Sequence, residues 1–303
     1  MKTSRREFIA GVGSMVAASA VPGVAAAATP TQQAAAQPTR PEGSKMAKTI
    51  LVTGAGTGFG HDLSLQLAQR GHQVIATVEL PAQVTQLKNA AQARGVNLRV
   101  EKIDILSERD RAFAASLDAD VLVNNAGIGE GGSVAEMPMD VFRSQFETNV
   151  FATLALTQQV VRRLLEQKKP GKIIFISSVV GFFTPEFTGA YSASKHALEA
   201  VAEALHAELK PFDIKVATIN PGPYRTGFND RMMETHRQWY DPSRHLIDHS
   251  KLAFTYDQFD PSAAIDSMVA IVEQSGGKFR NVVPDQFAGV VKQFQANAWD
   301  ATQ

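Results

Sequence analysis

The chain reads as a single doubly wound α/β domain, a parallel seven-stranded sheet with helices on both faces. Apolar, β-branched runs alternate with helical patterns from Lys48 onward, and the first run ends in a glycine-rich turn. No internal repeat or second hydrophobic unit interrupts the series. Runs apolar on both faces imply strands covered on both sides, and hence parallel pairing.

The elements follow in order. Residues 49–53 form a short apolar run, and 58–70 carry helical spacing at Leu63 and Leu67. Residues 73–78 are β-branched and apolar, and Pro81 suits the first turn of a helix over 81–94. Further strands are expected at 97–103, 121–123, 172–176 and 214–219, with helices near 107–118, 138–168 and 190–210 between them. Ligands of such a sheet bind beyond the carboxyl ends of its strands.

Composition narrows the function classes. The 303 residues are 44% hydrophobic and 20% charged, enough for a sizeable core. Thirty Lys and Arg balance thirty Asp and Glu, so no basic excess invites nucleic acid. The absence of cysteine excludes a disulfide scaffold, a thiol nucleophile, an iron–sulfur cluster and thiolate zinc sites. It fits an oxidising compartment without establishing one.

The amino terminus reads as a targeting segment. Arg5-Arg6 precede 21 uncharged residues, 8–28, that end in Ala25-Ala26-Ala27-Ala28. Paired arginines before a weakly apolar stretch look like a twin-arginine export signal with an A-x-A cleavage pattern. A membrane anchor is the alternative, but Pro22-Gly23 would break such a helix. The expected layout is a signal peptide over 1–28, a disordered linker over 29–45 and the domain over 46–303, with no stable membrane insertion after cleavage. The mature protein is expected in the periplasm; a start at Met46 would leave it in the cytoplasm.

Thr53-Gly54-Ala55-Gly56-Thr57-Gly58-Phe59-Gly60 joins the first strand to the first helix. Glycines there allow a tight turn and let backbone N–H groups reach a pyrophosphate. The generic G-x-G-x-x-G fingerprint fails, because position 59 is Phe; Gly54, Gly58 and Gly60 fit G-x-x-x-G-x-G instead. Asn124-Asn125-Ala126-Gly127 closes a later strand, and Asn149 lies in the helix after it. Ser178 ends the next strand, thirteen residues before Tyr191-x-x-x-Lys195, and Pro221-Gly222 and Thr226 follow the sixth.

In this order the set resembles the classical short-chain dehydrogenase/reductase family, over roughly residues 48–228. The resemblance implies a Rossmann fold, a nicotinamide cofactor and a hydride exchanged with a small-molecule alcohol or ketone. It implies catalytic roles for Asn149, Ser178, Tyr191 and Lys195. Gly54, Gly58, Phe59, Gly60, Glu79, Asp104, Asn125, Ala126, Gly127, Tyr191, Lys195, Pro221, Gly222 and Thr226 would bind the cofactor. Lys195 would also hold the nicotinamide ribose, and Asn149 would support a water-linked proton relay. A homodimer or homotetramer through 138–168 and 190–210 is implied as well.

The chemistry also follows from the residues. Tyr191 and Lys195 are i, i+4 and share a helix face. A free phenol with a pKa of about 10 is a poor base at neutral pH. A neighbouring ammonium, with an oxidised nicotinamide, favours the phenolate, so Tyr191 can exchange a proton with the substrate oxygen. Ser178 would hold that oxygen toward Tyr191. Plainer roles exist: Ser178 as a strand-end cap, Tyr191 and Lys195 as an exposed pair, Asn149 as a buried amide tying two elements together.

Glu79, after the second strand, can accept from ribose hydroxyls and would repel a 2′-phosphate, so NAD is favoured and NADP is the alternative. The family's usual aspartate aligns with Val78, a departure from the pattern. Asp104 matches an adenine-binding aspartate, or else caps the following helix. Aromatic and Met residues over 227–260 suggest a lid for an apolar or aromatic substrate, or ordinary packing. His245 and His249 are i, i+4, but no H-E-x-x-H pattern makes a metal site of them. His61 and His72 read as surface residues. A dinucleotide-binding redox sensor without turnover is the alternative to an alcohol dehydrogenase or ketone reductase.

Overall fold

Short strands of Ile, Leu and Val alternate with helices throughout the folded chain. A computed structural model describes residues 47–302, so the expected signal peptide and linker lie outside the described residues. The elements are β1 (Thr49–Val52), α1 (Gly58–Gln69), β2 (Gln73–Val78), α2 (Pro81–Ala93), β3 (Arg99–Lys102), α3 (Glu108–Ser116) and β4 (Val121–Asn124). Then come α4 (Met139–Phe146), a π turn (Glu147–Ala152), α5 (Thr153–Glu166), β5 (Gly171–Ile176), α6 (Gly189–Leu209) and β6 (Ile214–Pro221). The chain continues with α7 (Phe228–Glu234), α8 (Pro261–Glu273), β7 (Arg280–Val283) and α9 (Ala288–Trp299).

All seven strands pair in parallel in the order β3-β2-β1-β4-β5-β6-β7. Order reverses between β1 and β4, which leaves a crevice at the carboxyl edge. Alternate side chains feed two cores. Ile50, Val52 and Ile174 pack with Leu63 and Leu67 of α1 and Met268 and Val269 of α8. Leu51, Ile173 and Phe175 pack on the other face with Leu156 and Val160 of α5 and Leu198 of α6.

The expected elements form, with four differences. The helix expected over 138–168 runs from Met139 to Glu166 with a π turn inside it, where Thr148, Asn149 and Val150 are buried. The strand expected over 97–103 shortens to β3. The seventh strand, β7, is a half-exposed edge of Arg-Asn-Val-Val, too polar and short to stand out in the sequence. His72, expected at the surface, is buried: its Nδ1 accepts from the Lys48 N–H at 3.2 Å and its Nε2 meets Glu273 at 3.3 Å. His61 is half-buried beside Asp62.

Lys172 is a buried cation on β5. Its Nζ donates to the carbonyls of Ile271 and Gln274, satisfying the end of α8, and burial pulls its pKa down to about 8.

Phe175 is fully buried at the centre of the sheet. Phe175→Ala is expected to destabilise the domain by about 3–5 kcal/mol in chemical denaturation. A loss under about 1 kcal/mol would show that this layer repacks.

Candidate active site

A cleft of about 410 Å³ opens along the carboxyl edge where the strand order reverses. Its floor is the turn after β1. Gly54 there has φ +65°, and a side chain on it would drive a Cβ to 2.6 Å from the Ala126 Cα. The Asn125 amide donates to the carbonyls of Thr53 and Gly54, both at 2.9 Å, and Thr53 Oγ1 accepts from the N–H groups of Asn125 and Ala126 at 3.0 Å. These bonds tie the turn after β4 to the turn after β1. Gly60 is buried, and a Cβ on it would strike that same Asn125 amide and the Gly54 carbonyl. Gly60 therefore lies beneath the cleft, whereas Gly54, Gly58, Phe59, Asn125, Ala126 and Gly127 line it.

The amino end of α1 faces this space. Thr57 gives it no side-chain cap, and its first turn holds no acidic residue. Uncapped N–H groups and the positive end of the helix dipole suit an anion. The cradle thus fits a dinucleotide pyrophosphate. Gly58 packs opposite Thr226, and Phe59 meets the Tyr224 ring edge-on at 5.4 Å.

At one end of the cleft stand Glu79, exposed, and Asp104, with Ile103, Ile105 and Leu106 beside them. Asp104 does not cap the next helix: Oδ1 accepts from the Leu106 N–H at 2.8 Å, and Ser107 is the cap, accepting from the Asp110 N–H.

Toward the other end β5 and α6 bring Ser178, Tyr191 and Lys195 together, with Pro221, Gly222 and Thr226 opposite. Tyr191 and Lys195 are buried, not an exposed pair. Lys195 Nζ donates to the Ile176 carbonyl at 2.9 Å and lies 5.6 Å from the centre of the Tyr191 ring. Burial pushes the Tyr191 phenol well above its ordinary value and outweighs the neighbouring Ser178 side chain, which acts to lower it. Burial also pulls Lys195 down to about 8, against the pull of Glu199. Within the protein's own side chains, desolvation is the larger effect on the phenol.

Asn149 does not line the cleft. It is buried behind it, where Oδ1 accepts from the Ile128 N–H at 2.9 Å and Nδ2 donates to the Ile128 carbonyl at 3.0 Å and to Ser194 Oγ at 3.1 Å. Gln145 supports the same strand-end loop, donating to Ile128 and accepting from the Glu130 N–H. Both donors and the acceptor of Asn149 are engaged in tying the β4 loop to α6.

Part of the expected lid covers Tyr191. Phe228 lies 5.4 Å from its ring, and Met232 and Met233 are buried with it. His249 is fully buried: Nε2 accepts from the Ser133 N–H at 2.9 Å and Nδ1 meets the Ile247 carbonyl. Both ring nitrogens are used, which leaves neither for a metal. Gln83, Thr148, Tyr224 and Arg231 also line the cleft, and sequence reasoning missed them. None sits in a motif; each arrives by folding.

A family profile described as short chain dehydrogenase matches residues 48–237. The chain belongs to the short-chain dehydrogenase family. Among curated relatives, an uncharacterized oxidoreductase, YusZ, of Bacillus subtilis is 39% identical over 186 residues, 59% of this chain and 66% of its own length. A 3-ketodihydrosphingosine reductase of Bacteroides thetaiotaomicron is 35% identical over 184 residues, 60% of this chain and 65% of its own. The chain thus spans about two thirds of the length of these relatives. Among solved structures, a short-chain dehydrogenase from Streptomyces avermitilis superposes with a TM-score of 0.66 at 27% identity, covering 85% of this chain and 96% of that one. In this short-chain dehydrogenase the profile stops at residue 237, so α8, β7, α9 and most of the lid segment fall outside it.

Asn149→Ala would strand the Ile128 N–H, leave its carbonyl to Gln145 alone and loosen Ser194. A loss of at least about 2 kcal/mol is expected, with faster amide exchange over 126–130. Unchanged exchange there would show that Asn149 does not hold the loop.

Proposed function

We propose that this short-chain dehydrogenase interconverts a secondary alcohol and a ketone with a nicotinamide dinucleotide, with Tyr191 as the acid and base. One observation carries the reading: Ser178 and Tyr191 line one cleft beside a buried lysine, together with a glycine cradle. The bound cofactor would supply the hydride acceptor or donor. The cradle and the uncapped α1 terminus would hold its pyrophosphate, and Arg231, among the described residues without an ion pair, would add a cation over Gly227. Of the lining residues only Lys195 and Arg231 are cationic, and Glu79 follows β2, which supports NAD over NADP.

In reduction, Ser178 holds the carbonyl oxygen and Tyr191 gives its proton to it. In oxidation the phenolate takes the hydroxyl proton, and the Lys195 ammonium stabilises that anion. Because burial raises the phenol, Tyr191 is protonated at neutral pH, the form that reduction needs. Phe228, Met232 and Met233 over Tyr191 support an apolar or aromatic substrate, as does the ketone named in the Bacteroides relative.

A second copy of the chain is proposed to pack on the segment around α4 and α5, where Met139 and Phe151 are 58% and 55% exposed. Export by the twin-arginine route, which carries folded proteins, would let the dinucleotide travel bound. Protein purified from periplasm is then expected to show nucleotide absorbance, and its absence would count against co-export.

Assayed on a panel of secondary alcohols and ketones, Tyr191→Phe should lose about 10²–10⁴-fold in turnover while still binding NADH. The reduction rate should stay level through neutral pH, and oxidation should rise with pH as the phenolate forms. Equal rates in wild type and variant would remove Tyr191 from the chemistry. Binding without turnover across the panel would favour a redox sensor.

A further inference from the structure

Lys195 is a cation held inside the fold, 6% exposed, and its one hydrogen bond among the described residues goes to the Ile176 carbonyl. A neutral carbonyl does little to offset the lost hydration of an ammonium, so its charge needs a nearby anion. One turn further along α6 stands Glu199, 4% exposed. Tyr191, Lys195 and Glu199 are spaced i, i+4, i+8 and run along one face of the helix.

The Glu199 carboxylate is fixed from two sides. Oε1 accepts from the Asn220 amide on β6, and Oε2 meets Arg280 Nε on β7 at 3.2 Å. Asn220 also donates to the Ser178 carbonyl at 3.4 Å and accepts from Thr218 Oγ1 at 2.9 Å. Gly181 lets the turn after Ser178 press on this face: a Cβ there would lie 3.1 Å from Glu199 Cγ and 3.3 Å from the Lys195 carbonyl. The other charged groups tied to Glu199 are Arg280 itself and, through it, Glu203 on α6. Arg280 reaches Glu203 at 2.6 Å and lies over the Phe182 ring at 5.4 Å.

We propose that Glu199 is a positioning residue whose carboxylate is the counter-charge that keeps Lys195 an ammonium behind Tyr191, and that Arg280, by pairing with Glu199, weakens that hold. Its meaning for catalysis rests on the reading of Tyr191 as the proton carrier. Three strands thereby converge on one lysine: β5 through Ile176, β6 through Asn220 and β7 through Arg280. The direction of the electrostatics agrees, since Glu199 acts to raise Lys195 against the burial that lowers it.

The test is a titration of Lys195 by the ¹³Cε resonance in the full chain, assigned from the spectrum of Lys195→Arg. Wild type is expected to titrate near 8. Glu199→Gln should lower the midpoint by about one unit or more, and Arg280→Gln should raise it. Glu199→Asp should restore part of the shift. A folded Glu199→Gln with the wild-type midpoint overturns the proposal. Should Glu199→Gln fail to fold, Arg280→Gln decides: no rise there overturns it equally. Where wild type turns over a substrate, the kcat–pH profile of Glu199→Gln should move with the lysine midpoint. Wild type without turnover would sink the catalytic reading while leaving the lysine titration intact.

Discussion

A buried ammonium needs oxygen around it, and the carboxyl edge of this sheet is arranged to supply it to Lys195. The Ile176 carbonyl is the direct partner, free because β5 ends there, and Glu199 adds charge from one helical turn away. The lysine in turn fixes where Tyr191 stands, since both hang from the same face of α6. Burial acts on Tyr191 and Lys195 at once. It favours the neutral phenol and the neutral amine, while Glu199 and Ser178 oppose it. The ionisation of the site is therefore a balance between desolvation and two named neighbours.

A second constraint shapes the opposite part of the cleft. The turns after β1 and β4 approach until only glycine fits at Gly54 and Gly60, and the Asn125 amide bonds across the contact. With that scaffold in place, the first N–H groups of α1 are left facing the cleft. Asn149 plays the corresponding part on the far side, joining the β4 loop to α6 through the π turn. Two asparagines thus brace the site from either side.

Much of the fold was legible in the sequence. Apolar runs such as 172–176 have nowhere to go but a sheet covered on both faces, and Pro81 and the glycine turn punctuate them. The cluster of Ser178, Tyr191 and Lys195 was legible because Tyr191 and Lys195 lie one turn apart and Ser178 follows the strand before them. β7 was not, because Arg280 and Asn281 break the apolar pattern of an edge strand. The π turn was not, because the widening comes from what Asn149 bonds to across the fold, and periodicity does not register it. His72 looked like a surface residue beside a loop; its partner Glu273 lies 201 positions away.

The amino-acid order settled what depends on neighbours along the chain: strand and helix alternation, the glycine spacing, and the shared face of Tyr191 and Lys195. Folding settled what depends on groups distant in the chain. It left the phenol neutral and the lysine near 8, engaged every donor and acceptor of Asn149, brought Arg231 and Tyr224 to the cleft, and set Glu199 between Asn220 and Arg280. Periodicity is a short-range property, whereas desolvation and ion pairing sum over everything that packs around a group.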